Sequence, residues 1–384
     1  MEVTQVYEIL NEVSKELLGE ETIVKEDLSN VVDIGATFEN AKALDNYLHK
    51  LHDVIGKMVF RERKYSGRAP SVLMSDWDYG SILRKITAKM PEAAENESWE
   101  LQDGASYDPN IFTSPHVESK CFNKRVTFEI PTSFTEHQVK SAFHSPIELN
   151  ALFSLIETTI ENSRTIKTDA LIMRTINNMM AETIYNEYKG AALNSKSGIR
   201  AVNVLYLYNQ QFEKQLTAAQ AIYDPDFLRF AALVIRKYVK RLNVASTLFN
   251  IGCTEKFTGR DNLHVVMLSD FMDGADVYLQ SDTFHDEMTA LPNADSVAFW
   301  QGSGTSFDFA DASSIDVKTA SNNSVAASGI ICTMFDKEAL GVSNINYRIP
   351  THYNERAEFW NKWYKWDAGY FNDLNENMVV FFIA

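Results

Sequence analysis

The sequence predicts an α+β chain, on three observations. A capped apolar pattern beginning at Ser145 continues for about 45 residues, a run that only one very long helix accommodates. The region before it, 61–130, breaks into short β-prone runs separated by Gly67, Pro70, Gly80, Pro91, Gly104, Pro109 and Pro115. The stretch 359–384 is aromatic and β-prone, holding Trp360, Trp363 and Trp366, half of the six tryptophans, and ending in Met378-Val379-Val380-Phe381-Phe382-Ile383-Ala384. Such a run needs a surface to cover it, so a buried final strand is expected, with a tight turn at Asp367-Ala368-Gly369 before it.

Composition sets the bounds. At 384 residues, 45% hydrophobic and 12% aromatic, the chain can bury one large core or two modest ones. Its formal charge of -16, without a separate basic arm, argues against tight gripping of a phosphate backbone. Cys121, Cys253 and Cys332 are far apart and form no C-x-x-C pair, so neither a zinc knuckle nor a disulfide framework is expected. Met1-Glu2-Val3-Thr4-Gln5 has no basic leader followed by an apolar core, and no apolar run reaches spanning length; neither export nor membrane insertion is expected.

Taken in order, Val3, Val6, Leu10, Val13 and Leu17 stand at helical spacing before Gly19. A second helix is expected over 39–60, with Ala43, Tyr47, Leu51, Val54, Ile55 and Met58 on its apolar stripe. His49 and His52 lie within it, but no third ligand has a matching spacing, so they read as ordinary histidines. Two strands are expected at 81–90 and 116–130, joined by an acidic tip at 92–100. A long two-stranded arm is marginal alone in water, so this one must lie on something else.

Ser145-Pro146-Ile147-Glu148 supplies a capping hydroxyl, a proline at the first helical position and a glutamate three residues after the cap. Leu149, Leu152, Phe153, Ile156, Ile160, Ile166, Ala170, Met173, Ile176, Met180 and Ile184 then keep one apolar face until Gly190, with Glu161 expected on the opposite surface. Ser163, Lys167 and Asn177 interrupt a strict heptad, which favours packing on a sheet over a coiled coil. Beyond Ile199 strands and helices alternate: 202–208 reads as a strand, Asp224-Pro225 opens a helix to Leu242, and 263–268 reads as a short buried strand. Residues 301–328 have the composition of exposed loops.

Chemistry finds no anchor. Gly302-Ser303-Gly304-Thr305-Ser306 lacks the lysine and spacing of a phosphate loop and reads as a flexible loop. Asp76, Asp78, Asp224 and Asp226 form two D-x-D pairs that could hold a cation or do acid and base work, yet Asp224 is better used as a helix cap. No catalytic, cofactor-binding or metal-ligating residue is nominated.

The parts so far are an arm, a long hairpin, one very long helix, an α/β lobe and closing strands. With Cys121-Phe122-Asn123-Lys124-Arg125-Val126-Thr127-Phe128 leading through Phe134 to Ser145, with 261–280 and with 360–384, the chain resembles the major capsid proteins of tailed phages, which have the Hong Kong 97 fold, and more narrowly those of the phi-twenty-nine type. The resemblance implies an N-terminal arm at 1–60, an extended β-hairpin loop at 61–130 reaching over a neighbour, and a peripheral domain with the spine helix at 131–198. It further implies an axial domain at 199–335 and return strands of the peripheral domain at 336–384. The implied function is a major capsid protein assembling into hexamers and pentamers of an icosahedral or prolate head around double-stranded DNA, without sequence-specific binding, cofactor or membrane. A scaffolding protein and a portal protein are the implied partners, with assembly in the host bacterial cytoplasm and residence in the virion. Some relatives crosslink subunits through lysine and asparagine; Lys85, Lys89, Lys120 and Lys124 lie on the hairpin but read as surface charge. The alternatives are an encapsulin-like compartment and, from a different class, a carboxylate-based hydrolase.

Overall fold

The computed structural model describes residues 68–74, 83–91, 114–135, 146–279, 294–301, 308–319 and 322–384, with single positions between 93 and 112. The expected helices before residue 61, His49, His52, Asp76, Asp78 and Gly302–Ser306 lie outside the described residues, as does most of the hairpin tip.

The strands and helices are, in order, β1 (Leu83–Ala88), β2 (Val117–Phe122), β3 (Arg125–Thr135), α1 (Pro146–Tyr188), β4 (Ala201–Asn203), α2 (Val204–Phe212), α3 (Ala218–Ala221), α4 (Pro225–Leu242), β5 (Leu263–Leu268) and α5 (Ser269–Leu279). There follow β6 (Ala294–Val297), α6 (Phe309–Ala312), β7 (Ile315–Lys318), β8 (Ser324–Ala327), β9 (Ile330–Asp336), β10 (Leu340–Arg348), β11 (Thr351–Asn354), β12 (Phe359–Asn372) and β13 (Met378–Phe382). The long helix is present at 43 residues, about 65 Å at the standard rise. Among the described residues its expected apolar face is interrupted at Ile166, 66% exposed, and at Ala170, also exposed, whereas Ile160 is only 4% exposed. Glu161 is not a free surface group, because its carboxylate lies 3.6 Å from Arg164 and its side chain is mostly covered.

The chain divides into two compact units. One contains Arg125–Leu171 and Ser343–Gly369. Here β12 pairs antiparallel with β3 from Phe359↔Thr135 to Gly369↔Arg125, and with β11. Pro131 is tolerated because, among the described residues, β3 pairs only with β12, an edge position where a missing N–H breaks no ladder bond. Ile160 and Tyr364 form the buried centre, with Ile130, Phe134, Tyr347 and Ile349 packed around them. The expected turn at Asp367-Ala368-Gly369 is absent; β12 runs straight through it. Asp367 is held in the sheet by the Thr127 hydroxyl, which donates to it at 2.6 Å, and by Arg348 at 3.0 Å, so cross-strand partners override the turn-like composition.

The other unit contains Ser71–Lys124, Ile172–Val342 and Tyr370–Ala384. Its centre is a five-stranded sheet in the order β4-β13-β9-β5-β6. β13 is parallel to β4 and antiparallel to β9, and β5, β9 and β13 are buried along their whole length. Neighbouring residues of a strand face opposite sides. Accordingly Phe381 meets Tyr238 of α4 edge-on at 5.2 Å while Phe382 meets Tyr188 of α1 at 5.8 Å. The fully buried Trp300 donates its indole N–H to the Ile330 carbonyl at 2.9 Å, and its own carbonyl accepts from Asn177 of α1 at 2.8 Å.

Three expectations shift in this unit. The strand expected at 202–208 ends at Asn203, whose side chain accepts from the Tyr206 N–H at 3.0 Å and starts α2. The strand expected over 116–130 is two strands, parted at Asn123 and Lys124. The block expected as 336–384 is divided, its residues 343–369 falling in the first unit and 370–384 in the second, because β13 completes the five-stranded sheet. The expected buried final strand is present, as is the expected strand at 263–268.

Candidate assembly surface

Hairpin register decides which side chains share a face. Pairing runs from Leu83↔Phe122 to Ala88↔Val117, so Leu83, Lys85, Thr87, Glu118, Lys120 and Phe122 lie on one face and Arg84, Ile86, Ala88, Val117, Ser119 and Cys121 on the other.

The first face is rooted in its own unit. Phe122 packs on Phe371 at a ring distance of 5.1 Å. Lys85, with a side chain only 12% exposed, sets its ammonium 2.5 Å from Glu376, 3.1 Å from Asp373 and 3.1 Å from Glu338. Lys120 reaches Asp373 at 2.7 Å, and Lys256 reaches Glu376 at 3.0 Å. Burial alone would lower the Lys85 pKa, but Glu376, Asp373 and Glu338 outweigh it and hold the ammonium above its ordinary value. Burial likewise opposes ionisation of Asp373, yet hydrogen bonds from Lys120 and the Asn375 N–H, with the charge of Lys85, keep its carboxyl below the usual range. Lys85 and Lys120 are therefore anchors, not the surface charges expected, whereas Lys89 and Lys124 are exposed. Sequence alone could not separate them, since all four sit on the same hairpin and the partners of Lys85 and Lys120 lie 253 to 291 residues away.

The second face is bare. All six of its side chains are exposed, Ile86 at 61% and Val117 at 54%, and toward the tip Met90 and Phe112 stand out at 41% and 88%. Apolar side chains gathered on an exposed arm mark a contact with another molecule.

The residues weighed for chemistry are placed elsewhere. Asp224 caps α4 as expected, accepting from the N–H groups of Asp226 and Phe227 at 2.8 and 3.1 Å. Asp226 is exposed beside Arg229 and Lys214. A cavity lined by Leu205, Tyr206, Asn209, Gln210, Leu216, Thr217 and Ala384 offers side-chain amides and hydroxyls but no Asp, Glu or His side chain. Cys121 and Cys253 are exposed free thiols, and Cys332 is buried. Among the described residues no group of His, Cys, Asp and Glu is placed to hold a metal, and no helix is long and apolar enough to cross a membrane.

One cluster escaped sequence reasoning. The Ser71 hydroxyl donates to Asp295, and His264 Nδ1 lies 3.1 Å from the same hydroxyl oxygen. The order is carboxylate, hydroxyl, imidazole, so the serine proton is directed to Asp295 and away from the histidine, the reverse of the arrangement in a serine–histidine–aspartate triad. His264 is buried against the Phe335 ring, and burial, followed by the charge of Lys337, lowers its pKa to about 4. The cluster ties the segment leading into the hairpin to β5 and β6.

Comparison with curated proteins finds no match. Among solved structures, the capsid of Staphylococcus phage Andhra is similar in fold, with a TM-score of 0.51 at 8% identity, covering 82% of this chain and 83% of that one. Weaker similarity is found to the mature capsid of bacteriophage PhiM1, with a TM-score of 0.43 at 10% identity over 84% and 86% of the two chains. The capsid of Cyanophage P-SCSP1u gives 0.43 at 9% identity over 85% and 91%. The Phi29-like phage major capsid protein family matches residues 8–382. A rooted hairpin with a bare outer face, a phage-capsid fold and a family match across nearly all of its length lead to one conclusion: this chain belongs to the Phi29-like phage major capsid proteins.

Proposed function

We propose that the subunit builds hexameric and pentameric capsomers of an icosahedral or prolate head, with the hairpin of 61–130 laid across a neighbouring copy. The observation that carries this reading is the two-faced hairpin, locked to its own unit by Lys85 and Lys120 and presenting Ile86 and Val117 outward. In this reading 1–60 is the arm and 131–198 holds the peripheral domain with its spine helix. Residues 199–335 are the axial domain, joined there by 336–342 and, through β13, by 370–384, which leaves 343–369 as the peripheral return strands. Its role is structural and non-enzymatic. A scaffolding protein templates the first shell, a portal occupies one vertex, and double-stranded DNA fills the interior; the formal charge of -16 keeps that DNA mobile instead of adherent. Assembly takes place in the host bacterial cytoplasm.

The test is a pair of outer-face substitutions, Ile86→Glu with Val117→Glu, in the full chain expressed with its scaffolding partner. Because both side chains are exposed in the subunit, far-ultraviolet dichroism and the melting temperature stay at parental values while shells disappear from negative-stain fields. Parental shell yield from the doubly substituted chain would sink the clamp.

A further inference from the structure

Charge is segregated along this chain. Residues 227–260 hold seven Lys or Arg and one Glu, whereas residues 261–317 hold eleven Asp or Glu and neither Lys nor Arg. Ordinary surfaces intersperse the two signs; Asp270 and Asp273 lie on α5, which packs against α4, so the acidic patch apart from α4 is the one further along the chain, around α6.

The basic region is centred on α4. Phe227, Leu228, Ala231, Val234, Ile235, Tyr238 and Leu242 form its buried stripe. The opposite stripe carries Arg229, Leu233, Arg236, Lys237 and Lys240, with Arg241 beside it above the Tyr238 ring at 5.5 Å. Arg229 is engaged by Asp226 at 3.4 Å and Lys256 by Glu376. Lys237 and Lys240 stand exposed, and neither forms an ion pair among the described residues. Leu233, 48% exposed, lies between the cations.

The acidic region includes Asp308, Asp311 and Asp316, all exposed, around α6 and the start of β7. This segment is tied through the Trp300 N–H to the Ala312 carbonyl at 3.1 Å, and Trp300 is in turn held by Asn177 of α1. Since α4 covers the Phe381 side of the sheet and α1 the Phe382 side, the cationic helix and the acidic segment are fastened to helices on opposite faces of one sheet.

We propose that the basic face of α4 in one copy receives the acidic 308–316 segment of the next copy, making a head-to-tail contact that closes capsomer rings. The proposal rests on the assembly reading above. A ring requires a heterologous interface, two different patches that complement each other on every subunit, and this chain carries both. Complementary potentials would steer encounter and set the register of the ring. A second copy fits the α4 face better than duplex DNA does: Leu233 gives it an apolar centre with a charged rim, the anatomy of a protein contact, and phosphate would leave that leucine wet.

Charge exchange tests it in the full chain expressed with its scaffolding partner. One variant carries Lys237→Glu and Lys240→Glu, another Asp311→Lys and Asp316→Lys. Each alone is expected to lower shell yield at least tenfold by sedimentation and negative-stain microscopy, with dichroism and melting unchanged. Combining all four substitutions in one chain restores shells, because the exchanged charges again complement. Co-expressing the two variants as separate chains restores six-membered rings, in which the variants alternate, but not five-membered ones, where one like-charged junction is unavoidable; open tubes or sheets replace closed shells. The neutral pair Lys237→Gln and Lys240→Gln gives an intermediate loss even where the reversed helix fails to fold. Parental assembly by both reversed variants, or failure of the fourfold exchange to rescue two defective parents, overturns the contact. Normal shells that no longer retain DNA in the Lys237→Glu and Lys240→Glu variant would assign the face to nucleic acid and overturn it too. Absence of shells from the parent chain would overturn the assembly reading along with it.

Discussion

Replacing Lys85 by methionine keeps the length of the side chain and removes the charge that three carboxylates share. In the parent, Asp373 and Glu376 are almost entirely covered, at 2% and 5% exposed, and the Lys85 ammonium is within 3.1 Å of both. Deleting one partner of a buried ion pair costs about 3–5 kcal/mol, since the remaining charge stays desolvated. Here Lys120 still attends Asp373 and Lys256 still attends Glu376, so the expected loss is smaller, about 2–3 kcal/mol. Urea unfolding of the unassembled subunit reads this as a lower midpoint at constant slope, and amides of β1 and β2 lose exchange protection before those of β9 and β13. The pH dependence has a definite sign. The depressed pKa of Asp373 contributes stability that is present above the unfolded carboxylate value and lost as pH falls through the folded one. Without Lys85 that loss begins at higher pH. Lys124→Met, at an exposed position of the same loop, is the control and changes stability by less than about 0.5 kcal/mol. Equal midpoints for the two variants, or unchanged exchange in the hairpin, would refute the anchor.

Other outcomes follow from burial and backbone geometry. Ile160→Asp costs about 4 kcal/mol or more, because it buries a charge beside Tyr364, while Ile166→Asp, six residues along the same helix but 66% exposed, stays within about 0.5 kcal/mol; similar thermal midpoints would show the helix face misassigned. His264, neutral in the fold down to about pH 4 but protonated below about 6.5 once unfolded, makes stability fall as pH drops through that window, by about 3 kcal/mol in total. His264→Gln should flatten that slope in pH-dependent urea titrations, and an unaltered slope would assign it to other groups. Gly329→Ala costs more than about 2 kcal/mol, because φ is +78° and an added Cβ would collide with the Ile383 carbonyl oxygen; parental melting of that variant would contradict the close approach.

Elements whose evidence is local could be read from sequence. The capping signature before α1, the Asp224-Pro225 start of α4 and the apolar run of β5 all carry their own instructions. Elements decided by distant partners could not. Val202 to Tyr208 is β-prone in composition and reads as a strand, but the Asn203 side chain diverts it into α2. Asp367-Ala368-Gly369 has turn composition, and only pairing with residues 125–127 straightens it. The hairpin was legible as an arm needing support, but which face is anchored depends on residues 338, 373 and 376, and no spacing rule connects those to Lys85. The complementary charge blocks were present as composition all along; they became an interface argument only when Phe381 and Phe382 distinguished the two sides of the sheet.

The place of β13 sets a condition on synthesis. It lies between β4, made before residue 204, and β9, so the middle of the five-stranded sheet stays open until residues 378–382 have been translated. A chain interrupted between β9 and β13 would hold two unpaired strand edges apart, in strands that are otherwise buried, a species more prone to aggregate than to join its neighbours. Completion of the sheet thus acts as a quality check upstream of the lattice: subunits broken off short are withheld from the shell because they lack a finished core, and no separate inspection step is required.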